Sequence, residues 1–261
     1  MLPFVELFGR AVPTYGLLGL AGVALGLLAA LARCRAFGLS RDDCAYLYVL
    51  GAVGALLGAK LLYLLPLLPR LAAELPLLWT EPEVFSARYL SGGMVFYGGL
   101  AGAVAGAWGA ARYFRLRLAD FFPVLTPAIP LAHAVGRVGC FCAGCCYGVE
   151  LDPPWGVSVP ASPAGPGGVR FPVQLWEAGA ELALCAFLLW YAPRAARPGH
   201  VLRAYLLAYA PLRFVLEFFR GDLVRGFLGP LSTSQWFSLA ALSAALLWLA
   251  AERAGERRTG R

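Results

Sequence analysis

The chain alternates between long apolar runs and short polar or proline-rich connections. Seven runs are about as long as the roughly 20 residues that a helix needs to cross a bilayer. They cover approximately residues 12–32, 45–65, 93–113, 121–140, 174–192, 201–219 and 229–250. This pattern predicts an all-α membrane protein, with about seven transmembrane helices in a single polytopic domain that spans residues 1–261.

Glycines recur at three- and four-residue intervals in the second and third runs. Small residues at this spacing allow helix backbones to approach closely in lipid. The residues concerned are Gly51, Gly54, Gly58, Gly98, Gly99, Gly102 and Gly106. We therefore expect the second and third helices to pack tightly.

The composition agrees with a membrane protein, because 60% of the 261 residues are hydrophobic and 14% are charged. A soluble domain usually carries about 25% charged residues. No short hydrophobic region followed by a small-residue cleavage site precedes the first run, so we expect no removable signal peptide. The net charge of +7 resides in arginines of short loops. It indicates membrane topology and excludes nucleic acid as a partner.

Arginine is unevenly distributed between the connections. Thirteen arginines follow the first, third, fifth and seventh runs, against six in the other connections. The richer side should be cytoplasmic. We therefore predict a multi-pass membrane protein with its N-terminus outward and its C-terminus cytoplasmic.

The same topology places two long connections on the outward side. Residues 66–92 are either an interfacial amphipathic segment with Trp79 at headgroup depth or an irregular connection. Residues 149–172 are too rich in proline and glycine for a regular helix or a central strand. They are either a lid over an outward-opening site or a solvated linker.

Several charged residues are predicted at or near membrane depth, where an unpaired charge is costly. They are Lys60, Arg137, Glu177, Glu181, Arg213 and Glu217. We expect them to face a polar interior, with Arg213 and Glu217 paired across one helical turn. Arg137 and Arg220 instead lie near the outward end of their runs and have no obvious acid in the same turn. Two guanidinium groups there predict an outward cavity for a lipid phosphate. His133 is interpreted as a packed residue outside this site.

Four cysteines, Cys140, Cys142, Cys145 and Cys146, lie within seven residues, and Cys34, Cys44 and Cys185 are expected to be packing residues. The odd total excludes a fully paired set, although one or two disulfides within the cluster are possible. The C-x-x-C pair is typical of redox and zinc sites. Adjacent cysteines on a regular helix do not readily face one metal ion, so the sequence favours a disulfide over a metal and predicts no cofactor.

Six motifs in register along the chain resemble the prolipoprotein diacylglyceryl transferase family of the bacterial plasma membrane. They are TYGLL around Tyr15, SGGMVFYGGLAG (91–102), GRVGCFCAGCCYG (136–148), FPVQLWE (171–177), RFVLEFFRGD (213–222) and SQWFS (234–238). The resemblance implies transfer of a diacylglyceryl group from phosphatidylglycerol to a cysteine thiol in the signal peptide of a lipoprotein precursor, with release of glycerol phosphate.

The resemblance also implies which residues act. The catalytic set is Tyr97, Arg137 and Arg220. The substrate-binding set is Tyr15, Gly98, Gly136, Gly139, Gly148, Gln174, Glu177 and Glu217.

The chain departs from the family pattern at several of these positions. The family has histidine where Tyr97 stands, asparagines where Cys140 and Ala143 stand, and glutamate where Cys145 stands. A tyrosine hydroxyl ordinarily has a pKa of about 10 and is a poor base at neutral pH, unless a nearby cation lowers that pKa. Two alternatives therefore stay open. One is a thiol redox or metal-binding membrane protein on the same scaffold, and the other is a non-catalytic lipid-binding derivative.

Overall fold

The computed structural model describes residues 1–90, 93–152, 154–161, 165, 167–222 and 226–258. These residues form two compact units. One consists of Met1–Phe37 and Ala119–Arg261, and the other is Gly38–Leu118.

The described residues are mostly helical. The helices are α1 Thr14–Cys34, α2 Arg41–Leu64, α3 Leu68–Ala73, α4 Leu77–Thr80, α5 Pro82–Phe85, α6 Phe96–Tyr113, α7 Phe122–Ala143, α8 Val173–Tyr191, α9 Gly199–Leu216 and α10 Thr233–Arg258. Short antiparallel ribbons pair β1 Phe4–Leu7 with β2 Arg10–Pro13, β3 Val157–Val159 with β4 Gly168–Arg170, and β5 Phe227–Leu228 with β6 Leu231–Ser232. Each of the seven predicted runs corresponds to one long helix.

Five helical segments of the described chain are long and apolar enough to cross a membrane. They are Thr14–Phe37, Arg41–Ala73, Leu118–Ala143, Val173–Arg194 and Thr233–Glu256. The other two long helices, α6 and α9, have 18 residues each. The first is rich in glycine and alanine, and the second carries Arg203 and Arg213, which lowers the apolar character of both. The fold agrees with an all-α membrane protein, while the count of seven spans stays a prediction.

The first unit is built on α7, which packs along α1 and α8, while α9 packs along α10. Close approach of α1 to α7 depends on glycine. A Cβ atom on Gly22 would lie 2.7 Å from the carbonyl oxygen of Ala132, and one on Gly139 would lie 3.4 Å from the Cα of Tyr15. Pro127 and Pro130 lie inside α7 and are buried. This packing fixes the position of the cysteine-rich end of α7.

The second unit is held together by the glycines of α2 and α6, as the sequence predicts. A Cβ atom on Gly54 would overlap the carbonyl oxygen of Gly102, and one on Gly58 would overlap that of Gly98. Lys60 donates a hydrogen bond to the carbonyl of Leu90 (2.9 Å), so its charge interacts with a backbone dipole of its own unit.

The connection after α2 folds around Glu74. The carboxylate accepts hydrogen bonds from Arg70 (2.8 Å), Tyr89 (2.9 Å) and Arg88. These bonds lower the pKa of Glu74 to about 2. Trp79 is 84% exposed on α4 of this connection, which leaves its placement in the interface a prediction.

The connection between α7 and α8 contains no helix among its described residues, as the prolines and glycines predict. Its regular structure is the ribbon of β3 and β4. Residues 153, 162–164 and 166 lie outside the described part of the chain. The two interpretations of this segment, lid or linker, therefore remain open.

The close approach of α2 and α6 at their glycines can be tested by adding a single methyl group. Gly102→Ala should destabilise the protein by about 1–3 kcal/mol, because its Cβ atom would overlap the backbone of Gly54. Gly109→Ala is the matched control on the same helix, since a Cβ atom there meets nothing within 4 Å. Thermal unfolding in detergent measures both variants. Equal midpoints for Gly102→Ala and Gly109→Ala would contradict the proposed packing.

Candidate functional site

Arg137 is held on α7 by two neighbours. Its Nη2 donates to the carboxylate of Glu177 on α8 (2.9 Å), and its Nε donates to Nε2 of His133, one turn earlier on α7 (3.2 Å). Glu177 is 1% exposed, so the ion pair is buried. A guanidinium group held at two of its nitrogens has a fixed direction and keeps further donors for a ligand.

His133 belongs to this network, although its lone position in an apolar run predicts a packed residue outside the site. Its Nδ1 lies 2.8 Å from Oε1 of Glu181, which is fully buried. His133 therefore lies between Arg137 on its own helix and Glu181 on α8. The signal available in the sequence was the pair of matching four-residue intervals, His133–Arg137 on α7 and Glu177–Glu181 on α8.

Arg213 and Glu217 form the ion pair that their spacing predicts. Their side chains approach to 2.5 Å, and both are buried. Arg213 also donates to the hydroxyl of Ser234 on α10 (3.2 Å). The hydrogen bond from Arg213 to Ser234 therefore ties the end of α9 to the start of α10.

Arg220 follows α9 and forms a bidentate ion pair with Asp222. Its Nε and Nη2 donate to the two carboxylate oxygens at 3.0 and 2.8 Å, and the side chain is 8% exposed. Burial disfavours the charged form, but the hydrogen bonds to Asp222 and the negative sulfur of Cys146 outweigh it and raise the pKa of Arg220. The charge of Arg137 acts in the opposite direction. The cation is thus stabilised in a largely buried position.

Backbone pairing connects Arg220 to the cysteine-rich segment. Residues 147–149 form hydrogen bonds with residues 219–221 on one side (2.9 and 3.0 Å) and with Phe171 on the other (2.9 Å). Gly148 lies directly opposite Arg220. A Cβ atom on Gly148 would overlap the carbonyl oxygen of Phe171. The glycine that ends the signature motif is required because three backbone segments meet there.

The thiol of Cys146 lies within the electrostatic reach of both arginines. Hydrogen bonds from the thiols of Cys140 and Cys145, and then the charges of Arg220 and Arg137, lower the pKa of Cys146 well below the usual thiol range despite burial. The charges of Arg137 and Arg220 therefore both act on one sulfur, which lies three residues after the end of α7.

Three of the four clustered cysteines converge. The sulfurs of Cys140, Cys145 and Cys146 lie within 4.8 Å of one another, whereas Cys142 is not part of this group. All seven cysteines are free thiols. Gln174 donates to the carbonyl of Cys145 (2.8 Å) and fixes the turn that carries two of the sulfurs. This thiol cluster is one of two groups of potential metal ligands among the described residues; the other is His133, Glu177 and Glu181.

The remaining predicted site residues fall in two places. Tyr15 lies in the first turn of α1, where it contacts Gly139 of α7. A Cβ atom on Gly136 would meet nothing within 4 Å, so helix packing does not require that glycine. Tyr97 and Gly98 lie on α6, in the second unit, where Gly98 packs against Gly58 and the ring of Tyr97 contacts that of Phe96.

Comparison with known proteins identifies the family. A family model described as "Prolipoprotein diacylglyceryl transferase" matches residues 3–251. The chain is 34% identical to the phosphatidylglycerol–prolipoprotein diacylglyceryl transferase of Clostridium tetani, over 90% of each chain. It is 36% identical to the enzyme of that name from Paracidovorax citrulli, over 93% of this chain and 92% of the relative. With the five membrane-length helices, these relatives indicate a multi-pass bacterial membrane protein. The chain belongs to the prolipoprotein diacylglyceryl transferase family of enzymes.

Proposed function

We propose that this protein transfers the diacylglyceryl group of phosphatidylglycerol to a cysteine thiol in the signal peptide of a lipoprotein precursor. The observation that carries the proposal is that the charges of Arg137 and Arg220 both act on Cys146, in a chain that matches the family from residue 3 to residue 251. These two arginines come from separate retained motifs, and the charges of both act on the same sulfur.

The reaction is a substitution at a glycerol carbon. The thiolate sulfur of the acceptor bonds to this carbon, the bond from carbon to the phosphate oxygen breaks, and its electron pair leaves with glycerol phosphate. Negative charge therefore grows on the departing phosphate. Arg137 and Arg220 would stabilise that charge from fixed, largely buried positions, where a positioned donor contributes about 3–4 kcal/mol to the transition state.

The carboxylates of the site position these arginines. Glu177 and His133 orient Arg137, and Asp222 orients Arg220. An incoming phosphate would accept hydrogen bonds from the guanidinium N–H groups that these partners leave available. Each arginine would then pair with two anions, its own carboxylate and the phosphate. Gln174 and Gly148 are proposed to act indirectly. Gln174 holds the turn at Cys145, and Gly148 allows the backbone segments beside Arg220 to meet.

The other predicted substrate contacts remain part of the proposal. Tyr15 on α1 and Gly139 on α7 lie where these two helices meet, and Gly136 lies where α7 has open space beside it. All three are proposed to contact the lipid. Glu217 is proposed to act through its ion pair with Arg213. Tyr97 and Gly98 are assigned to the site by their motif.

The finer topology is proposed on the same basis. We propose one functional domain of seven spans with an outward cavity, an outward N-terminus and a cytoplasmic C-terminus. The support is the correspondence of seven helices with seven apolar runs, and the arginine excess in alternate connections. An outward site is where a lipoprotein signal peptide that crosses the plasma membrane would present its cysteine.

Complementation tests the proposed function directly. The gene is expressed in a bacterial strain whose own transferase can be depleted, and growth and lipid labelling of a reporter lipoprotein are measured after depletion. We expect the parent protein to support both readouts. A reporter whose acceptor cysteine is replaced by serine serves as control and should stay unlabelled. Normal expression in the membrane without labelling would refute the assignment.

Tyr97 has a separate test, because it stands where the family has histidine. Tyr97→Phe keeps the ring and removes the hydroxyl. We expect kcat to fall by about 10²-fold or more, because a positioned proton donor or acceptor usually accelerates a reaction by at least that factor. Transfer of labelled lipid by purified protein measures the change. Tyr113→Phe, at the far end of α6, is the control and should leave kcat unchanged. Parental kcat in Tyr97→Phe would remove the hydroxyl from the catalytic set.

A further inference from the structure

The thiol cluster, Cys140, Cys145 and Cys146, has a geometry close to that of a metal site. Its three sulfurs lie within 4.8 Å of one another. Three thiolates bound to one zinc ion at about 2.3 Å would be separated by about 3.8 Å in a tetrahedral arrangement. Sulfur shifts of about 1 Å or less, within the reach of side-chain rotation, would complete the site.

The backbone explains how two adjacent cysteines join the same cluster. The helix α7 ends at Ala143, and Gly144 adopts a left-handed conformation with φ of 73°. Cys146 is also left-handed, with φ of 54°, which a non-glycine residue rarely adopts. This turn directs Cys145 and Cys146 toward Cys140. Adjacent cysteines on a regular helix would not readily face one metal ion, but α7 has already ended before Cys145 and Cys146.

The charges around the thiol cluster favour a metal complex of thiolates. Three thiolates and one divalent ion carry a net charge of −1. Arg137 and Arg220 both act electrostatically on Cys146, and they would balance this charge in a largely buried place. A disulfide would use two of the three sulfurs and leave the third without a role.

We propose that Cys140, Cys145 and Cys146 bind a thiophilic metal ion of the zinc class, with a fourth coordination position open to the acceptor thiol. Three protein ligands and one open position are the usual arrangement of a catalytic zinc site, whereas structural sites have four protein ligands. The site goes beyond the family motif, in which asparagine and glutamate stand where Cys140 and Cys145 are found.

The open position gives the ion a role in the transfer, and this part rests on the proposed function. A free thiol has a pKa of about 8.5 and is mostly protonated at neutral pH. Coordination to a divalent ion removes the thiol proton, which passes to solvent, and leaves a metal-bound thiolate. That sulfur then bonds to the glycerol carbon as the carbon–oxygen bond breaks and glycerol phosphate departs. Thiol activation would thus not depend on the histidine that this chain lacks.

Cadmium titration tests the site without reference to activity. Purified, metal-free protein in detergent is titrated with Cd²⁺, and the ultraviolet charge-transfer absorption of cadmium–thiolate bonds is recorded. We expect one equivalent to bind. We expect at least about tenfold weaker cadmium binding in each of Cys140→Ser, Cys145→Ser and Cys146→Ser. Loss of a residue that only hydrogen-bonds to a metal ligand already lowers metal affinity by about that factor. Cys142→Ser is the matched control and should bind as the parent does. Parental affinity in the three cluster variants would overturn the proposal.

An activity measurement then separates the site from its role. Transfer is assayed after chelation and after zinc is restored. We expect the rate to fall at least about tenfold and to recover with zinc, in the parent and in Cys142→Ser. An unchanged rate after verified metal removal would overturn the catalytic role and leave the proposed function intact. Cadmium binding by the thiol cluster, without transfer in either the metal-free or the zinc-loaded protein, would refute the proposed function and leave the metal site standing.

Discussion

Replacement of Arg137 by glutamine should lower kcat/KM for diacylglyceryl transfer by about 10²–10³, the usual cost of one lost donor to a developing anion. The neutral amide is shorter, carries no charge and cannot reach Glu177 and a phosphate together. Arg137→Lys should also lose at least about tenfold, because a point charge cannot reproduce the two hydrogen bonds that orient the guanidinium group. Steady-state transfer of labelled phosphatidylglycerol to an acceptor peptide measures both losses.

Loss of Arg137 also leaves Glu177 buried without its cation, which by itself destabilises a protein. The double variant Arg137→Gln with Glu177→Gln removes both charges. It should regain thermal stability relative to Arg137→Gln and remain as inactive. Arg194→Gln, at an exposed position after α8, is the control for loss of positive charge and should transfer at the parental rate. Activity that returns together with stability in the double variant would mean that Arg137 only supports the fold.

Gly148→Ala should be nearly as damaging, although it adds one methyl group. The new Cβ atom would overlap the carbonyl oxygen of Phe171 and lie 3.0 Å from that of Phe219. The backbone would have to move, and overpacking of this kind lowers the free energy of unfolding by about 1–3 kcal/mol. The same movement displaces Arg220 from its place opposite residue 148. We expect a loss of about 10² in kcat/KM, since misplacement of a site by about 1 Å has that effect.

Gly179→Ala on α8 is the matched control for this glycine, because a Cβ atom there meets nothing within 4 Å. It should leave unfolding and transfer unchanged. Unfolding in detergent and the transfer assay are measured on both variants. Parental stability and activity in Gly148→Ala would show that the junction tolerates a side chain, contrary to the geometry described.

Much of the fold could be predicted because it follows from short-range periodicity. The lengths of the apolar runs predicted where the long helices lie, and the glycine spacing predicted the α2–α6 contact that the structure confirms. The Arg213–Glu217 pair also follows from helix geometry, since residues four apart share a face. The lower apolar character of α6 and α9 also follows from composition, namely the glycine and alanine of the first and the arginines of the second.

The site was less predictable because its geometry depends on contacts between distant segments. Nothing in the run around His133 shows that α8 places Glu181 against it. The thiol cluster depends on the left-handed φ of Cys146, which the helical pattern of the preceding residues does not indicate. Gly148 was found through its motif, but the reason for it, the meeting of three backbone segments, appears only in the structure.

A double-mutant cycle on lipid binding tests whether Arg137 and Arg220 hold one phosphate. Binding of phosphatidylglycerol in mixed micelles is measured for the parent, Arg137→Gln, Arg220→Gln and the double variant, with diacylglycerol as the control lipid without phosphate. We predict that each single change weakens phosphatidylglycerol binding by about tenfold or more. The factor by which the double variant weakens binding should be clearly smaller than the product of the two single factors. Losses that multiply, or single variants that bind as the parent does, would show that the two arginines do not hold one phosphate.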